Sequence, residues 1–136
     1  MYATQADIEA RFGTNQVLLV ADRDEDGNAD AAVIAAALSA ATGTIDSYVG
    51  QHYDLPLATV PEALKEACVV LAMHHLSGLP GAMTEELQAA KRETLAWLKD
   101  IGAGRASLGV DKPPLSHGAP TFTSKPNVWG RGKGGF

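Results

Sequence analysis

A chain of 136 residues with 46% hydrophobic and 20% charged side chains has the length and composition of one globular domain, too apolar to be disordered throughout. A formal charge of −5 argues against a general nucleic-acid binder, and a single cysteine excludes an internal disulfide framework. With no basic-then-apolar leader and no apolar run read as approaching the ~20 residues of a membrane helix, the chain is expected to be soluble, unexported and housed in a reducing compartment.

The first segment, YATQADIEARFG, places Thr4 at an N-cap with Asp7 three residues on. Both side chains then reach free amides of a first helical turn, Ile8 and Phe12 share a face, and Gly13 closes the helix. TNQVLLVAD is short and apolar and reads as a turn or two of helix in preference to a strand. In ADRDEDGNAD, residues 21–30, Asp26-Gly27-Asn28 is turn chemistry and Asp30 is placed to cap a helix beginning at Ala31.

From there Val33, Ile34, Ala37, Leu38, Ala41, Ile45, Tyr48 and Val49 recur at the period of a one-sided helix that runs to about Gly50. Gly43 inside it costs up to about 1 kcal/mol relative to Ala, so tertiary packing or a close backbone neighbour is expected there. HYDLPLATVP is a connector, because Pro56 and Pro61 each push the preceding residue out of the helical region, and Pro61 suits the first turn of the next helix.

That helix, PEALKEACVVLAMHHLSG, is apolar over nearly its whole girth after Glu66, counts His75 in its stripe, and is expected to be central. Cys68 within it reads as a small buried hydrophobe. Thr84 caps a last helix with Glu85 and Glu86 in its first turn. Leu87, Ala90, Leu95, Trp97, Leu98 and Ile101 form its buried side, and GAG at 102–104 stops it.

The fold class expected is therefore all-α, a small bundle of four to five helices over residues 1–110, followed by an extended arm over 111–136. The change of character is compositional. Four of seven prolines and six of fourteen glycines lie in the final 32 residues, together with Leu115, Phe122, Val128, Trp129 and Phe136. Residues 1–104 hold 15 Asp+Glu against 6 Lys+Arg, whereas residues 105–136 hold Asp111 alone against Arg105, Lys112, Lys125, Arg131 and Lys133. An acidic body carries a basic, aromatic arm that cannot pack a core by itself.

Few residues point to chemistry. Asp22, Asp24, Asp26 and Gly27 match the first half of a calcium-binding EF-hand loop, and Asp30 falls at its ninth position. The twelfth, which should be a bidentate Glu, is Val33, so Asp22, Asp24, Asp26 and Asp30 make at most a weak cation site, and loop formation explains the same residues. His74 and His75 are adjacent and diverge by about 100° on a helix, which does not suit joint ligation of one ion. His52 and His117 stand in connectors without metal-ligand companions.

No nucleophile-with-base signature is present, and GAGRASLG lacks both the preceding strand and the Lys-Ser/Thr of a phosphate loop. The chain thus reads as neither an enzyme nor a cofactor protein. WGRGKGGF could meet phosphate through Arg131 and Lys133 with Trp129 stacked on a base, or dock on an acidic protein surface, which explains the residues equally well.

Four islands, MYATQADIEARFG, DRDEDGNAD, IDSYVGQHYDLPL and LAWLKDIGAGRASLG, occur in order over about residues 1–110. Together they resemble the Mu-like phage head–tail connector family, the adaptor or head completion proteins. The resemblance implies a non-enzymatic structural protein of the virion neck, assembled in the bacterial host cytoplasm. It implies a homo-oligomeric ring, often twelvefold, that sits beneath the portal protein, receives a stopper or tail completion protein and extends the DNA channel. DNA would pass without sequence-specific binding, and no membrane is implied. The arm matches none of these islands, and its role follows from its composition: Arg105, Phe122, Trp129, Arg131, Lys133 and Phe136 are the expected contacts with a neighbouring subunit or the portal. Two alternatives stand beside it: a calcium-binding helical module through residues 22–33, and a DNA-binding accessory factor of packaging.

Overall fold

The computed structural model describes residues 1–78 and 83–109. They form α1 (Gln5–Phe12), α2 (Thr14–Ala21), α3 (Ala31–Val49), α4 (Glu62–Leu76) and α5 (Glu85–Gly102), with no strand among the described residues. The all-α class and the helix number agree with the sequence.

Local chemistry sets most boundaries. The Thr4 hydroxyl accepts the Asp7 amide while the Asp7 carboxylate accepts the Thr4 amide at 2.8 Å, a complete capping box. Gly13 separates α1 from α2 with φ 91°, a left-handed conformation that an L side chain resists, so one break divides two short helices. Thr84 caps α5 by accepting the Leu87 amide at 3.1 Å. Pro61 takes the N-cap of α4, one position before its expected place in the first turn.

The core is built on α3 and α4, which pair most extensively; α5 packs against both, and α1 and α2 lean on α4. On α3 the buried residues are Ile34, Ala37, Leu38, Ala41, Ile45 and Val49, with Val33 and Tyr48 at the margins. On α4 burial is nearly continuous from Ala67 to Met73, as its central position requires.

Three expectations change. His75 is exposed and His74 half-buried, because the α4 stripe turns away from them at its last turn. Asp30 occupies the N-cap of α3 without capping it; its carboxylate is turned back across the loop onto the Arg23 amide at 3.0 Å. At Gly43 a Cβ would meet nothing within 4 Å, so of the two supports expected there it is tertiary packing, the long seam of α3 with α4, that holds the segment. Finally, α3 is long and apolar enough, by length and composition alone, to cross a membrane. Alanines account for much of that character. The large side chains of α3 face the core, and Ala32, Ala35, Ala36, Ser39, Ala40 and Gly43 make its exposed face.

The glycines after α5 do more than stop a helix. Gly102 lies in the last helical turn, fully packed, where a Cβ would stand 3.1 Å from the Tyr48 carbonyl oxygen. Gly104, at φ 79°, lies against the His52 ring. Beyond them the buried Leu108 donates its amide to the Tyr53 hydroxyl at 3.2 Å. The end of α5 and the residues after it are thereby held against the end of α3.

Candidate functional site

Between α2 and α3 the acidic loop is organised by its own carboxylates. Asp22 accepts the Asp26 amide through Oδ1 at 3.0 Å and the Gly27 amide through Oδ2 at 2.9 Å. Asp24 also accepts the Asp26 amide, and Asp26 accepts that of Asn28 at 2.8 Å. This is the chemistry of an Asp-rich turn. Ligand atoms of Asp22, Asp24 and Asp26 do lie within 4.8 Å of one another, while Asp30 is occupied with Arg23.

Desolvation and the adjacent carboxylates push the Asp24 acid upward, and although desolvation also acts on Asp22, the Gly27 and Asp26 amides hold its carboxyl below the usual range. Val33, at the position where an EF-hand places its bidentate Glu, packs against the core, so it cannot be replaced by a rotation of the helix. What the three carboxylates do in the fold is bind loop amides.

At the far end of α4 the His74 and His75 rings meet edge-on with centroids 6.5 Å apart. Burial, followed by the charges of Lys91 and His75, lowers the His74 pKa. No ligand set joins them, and among the described residues the acidic trio is the one group with metal-ligand spacing. Cys68 is buried, as expected, and its burial raises the thiol pKa.

Of the residues expected to contact a partner, Arg105 is placed. Its Nε and Nη2 donate to Asp100 Oδ1 at 3.1 and 2.9 Å on an exposed surface just after α5. Phe122, Trp129, Arg131, Lys133 and Phe136 lie outside the described residues.

A different surface stands out beside the N-terminal residues. Tyr2 donates its hydroxyl to the Asp46 carboxylate, laying the N-terminal residues alongside α3. A groove of about 450 Å³ opens beside them, lined by Met1, Asp46, Leu55, Pro56, Leu57 and Val60, and a second of about 390 Å³ runs between the same N-terminal residues and the Ala31–Leu38 part of α3. Met1, Leu55 and Val60 are three of the four large apolar side chains exposed on the described body; the fourth, Leu19, is on α2. A signal was available, since Leu55 directly precedes Pro56, and Leu57 and Val60 stand between Pro56 and Pro61, where no helix can bury them in its own face.

Comparison with known proteins supplies the family. The chain is 33% identical over 140 residues to "Gene product J" of Escherichia phage Mu, covering 99% of this chain and 98% of that protein. It is 31% identical over 134 residues to "Mu-like prophage FluMu protein gp36" of Haemophilus influenzae, covering 96% and 94%. The family described as "Bacteriophage Mu, Gp36" matches residues 2–123, beyond the described helices and into the C-terminal segment. On this agreement across nearly the whole sequence, the chain belongs to the Bacteriophage Mu Gp36 family, proteins of Mu-like phages and prophages.

Proposed function

We propose that this protein is a structural head–tail connector, an adaptor copied around an axis into a ring at the virion neck. The ring lies between the portal and the stopper or tail, prolongs the DNA channel and performs no catalysis. The observation that carries this reading is family membership over nearly the full chain, in a body that offers two unlike surfaces. One is the uncharged small-residue face of α3, which lets another backbone approach closely; the other is the groove bordered by the exposed Met1, Leu55 and Val60. A ring needs such a pair, because a head-to-tail contact joins different patches of identical chains and closes by rotation.

In this reading twelve copies are the natural number to match a portal. Arg105 and the segment bearing Phe122, Trp129, Arg131, Lys133 and Phe136 engage the neighbour or the portal, with the aromatic residues as anchors and the cations meeting acidic surface. Residues 1–109 carry 15 Asp+Glu against 7 Lys+Arg, so a body facing the bore repels phosphate and lets DNA pass without adhering.

The test is electron microscopy of the full chain mixed with portal-containing particles. A ring of density at the portal vertex is expected, and deletion of residues 111–136 should prevent its stable attachment. Virions whose neck lacks this chain, or product turnover in an enzymatic assay, would overturn the reading.

A further inference from the structure

We propose that in the unassembled protein residues 110–136 fold back on their own body and occupy the groove between the N-terminal residues and the 55–60 connector. The docking is a property of the free chain; only its meaning for assembly rests on the connector reading, since the segment that clasps a neighbour in the ring would first be held at home.

The groove calls for a cover. Met1 is 70% exposed, Val60 41% and Leu55 38%, and all three border it, with Pro56 and Leu57 completing its apolar wall. Three large apolar side chains exposed along one groove whose lining also holds Thr42 and Asp46 suit an occupant with both apolar and charged groups.

Three observations select the C-terminal segment as the occupant. First, the described chain ends on the connector that leads into the groove: Leu108 donates its amide to the Tyr53 hydroxyl, and Tyr53 stands two residues before the groove residue Leu55. A tether that starts there gives its own segment an effective concentration in the millimolar range. Second, reach is not limiting, because the 27 residues after Gly109 span up to about 90 Å when extended.

Third, the chemistry is complementary. The segment carries Phe122, Val128, Trp129 and Phe136 for an apolar wall, and Lys112, Lys125, Arg131 and Lys133 against a single acid, Asp111. The groove has Asp46 in its lining and Asp54 in the adjoining connector, on a body whose acids outnumber its cations. Aromatic groups leave water and cations meet carboxylates in one placement.

The experiment places a photo-crosslinking phenylalanine analogue at the exposed Val60 of the full chain, with the same group at Leu19 as a control. Crosslinks from position 60 into residues 110–136, in a band of monomer mass at micromolar concentration, are expected. The double variant Trp129→Ala/Phe136→Ala should reduce them several-fold and speed amide exchange over residues 55–60 by a similar factor. Crosslinks confined to residues 1–109, equal yields from Leu19, or crosslinks between chains that grow with concentration would overturn the proposal, the last in favour of a second copy. Attachment to portal particles is read separately, so a failed fold-back leaves the connector reading standing and a failed attachment leaves the fold-back standing.

Discussion

Tyr2 ties the start of the chain to the middle of the molecule. Burial first, and then its bond to the Asp46 carboxylate, hold the phenol pKa well above its ordinary value. The protonated phenol is therefore favoured by the fold. Its stabilising contribution is complete below about pH 10, where the unfolded phenol is also protonated, and is lost as pH rises through the higher folded value. Thermal melts should show stability falling above pH 10, and Tyr2→Phe should flatten that fall while lowering stability at neutral pH. Cys68 gives a second check: its thiol, buried and shifted upward, should react with an aromatic disulfide reagent only as the protein unfolds. Labelling of native protein at the rate of a free thiol would contradict the burial. Among single residues, those acting within a few positions were legible in the sequence. Thr4 and Asp7 sit three apart, and capping chemistry needs nothing else. The Tyr2–Asp46 pair joins residues 44 apart and exists because of the tertiary fold, so no local pattern announces it.

Among the helices, two glycines make opposite forecasts. Gly43 is exposed on α3 with open space where a Cβ would go, so Gly43→Ala should stabilise the monomer by about 0.5–1 kcal/mol and raise Tm by a few degrees. Gly102 is packed against the Tyr48 carbonyl, and Gly102→Ala should destabilise by about 1–3 kcal/mol, since the obstructing atom is backbone and cannot swing away. Calorimetry on both variants compares them directly; equal shifts would contradict the geometry. The loop between α2 and α3 gives a third forecast. Because its carboxylates hold amides and Val33 supplies no ligand, millimolar calcium should leave Tm unchanged, whereas Asp22→Ala should lower it. A rise in Tm that grows with calcium would revive the cation site.

The elements themselves were largely readable because α3 and α4 must bury a periodic face, and Ile34, Ala37, Leu38, Ala41 and Ile45 repeat accordingly. The exposure of His75 was not readable, since one adjacent position decides whether a side chain near a helix end meets the core or water. The Met1, Leu55 and Val60 groove escaped for a related reason. Connectors have no period, and which of their apolar residues gather depends on where the N-terminal residues come to rest.

For the molecule as a whole, the described residues form one continuous core from Ala3 through Leu108, built on the five helices that precede the 111–136 segment. Deletion of that segment should therefore leave a helical, cooperatively melting protein, as circular dichroism through a thermal ramp would show. A loss of helix or of cooperativity on truncation would mean that the arm is part of the fold. The similarity to Mu-like phage proteins does not stop with the helices, since the family match runs to residue 123.

The clasp of Leu108 by Tyr53, with Gly104 seated on His52 and Arg105 held by Asp100, also has a mechanical meaning. A pull on the C-terminus is met by the joint between the ends of α3 and α5 before it can peel turns from α5. Traction arriving from beyond Gly109 is thus spread into the two helices through a fixed anchorage.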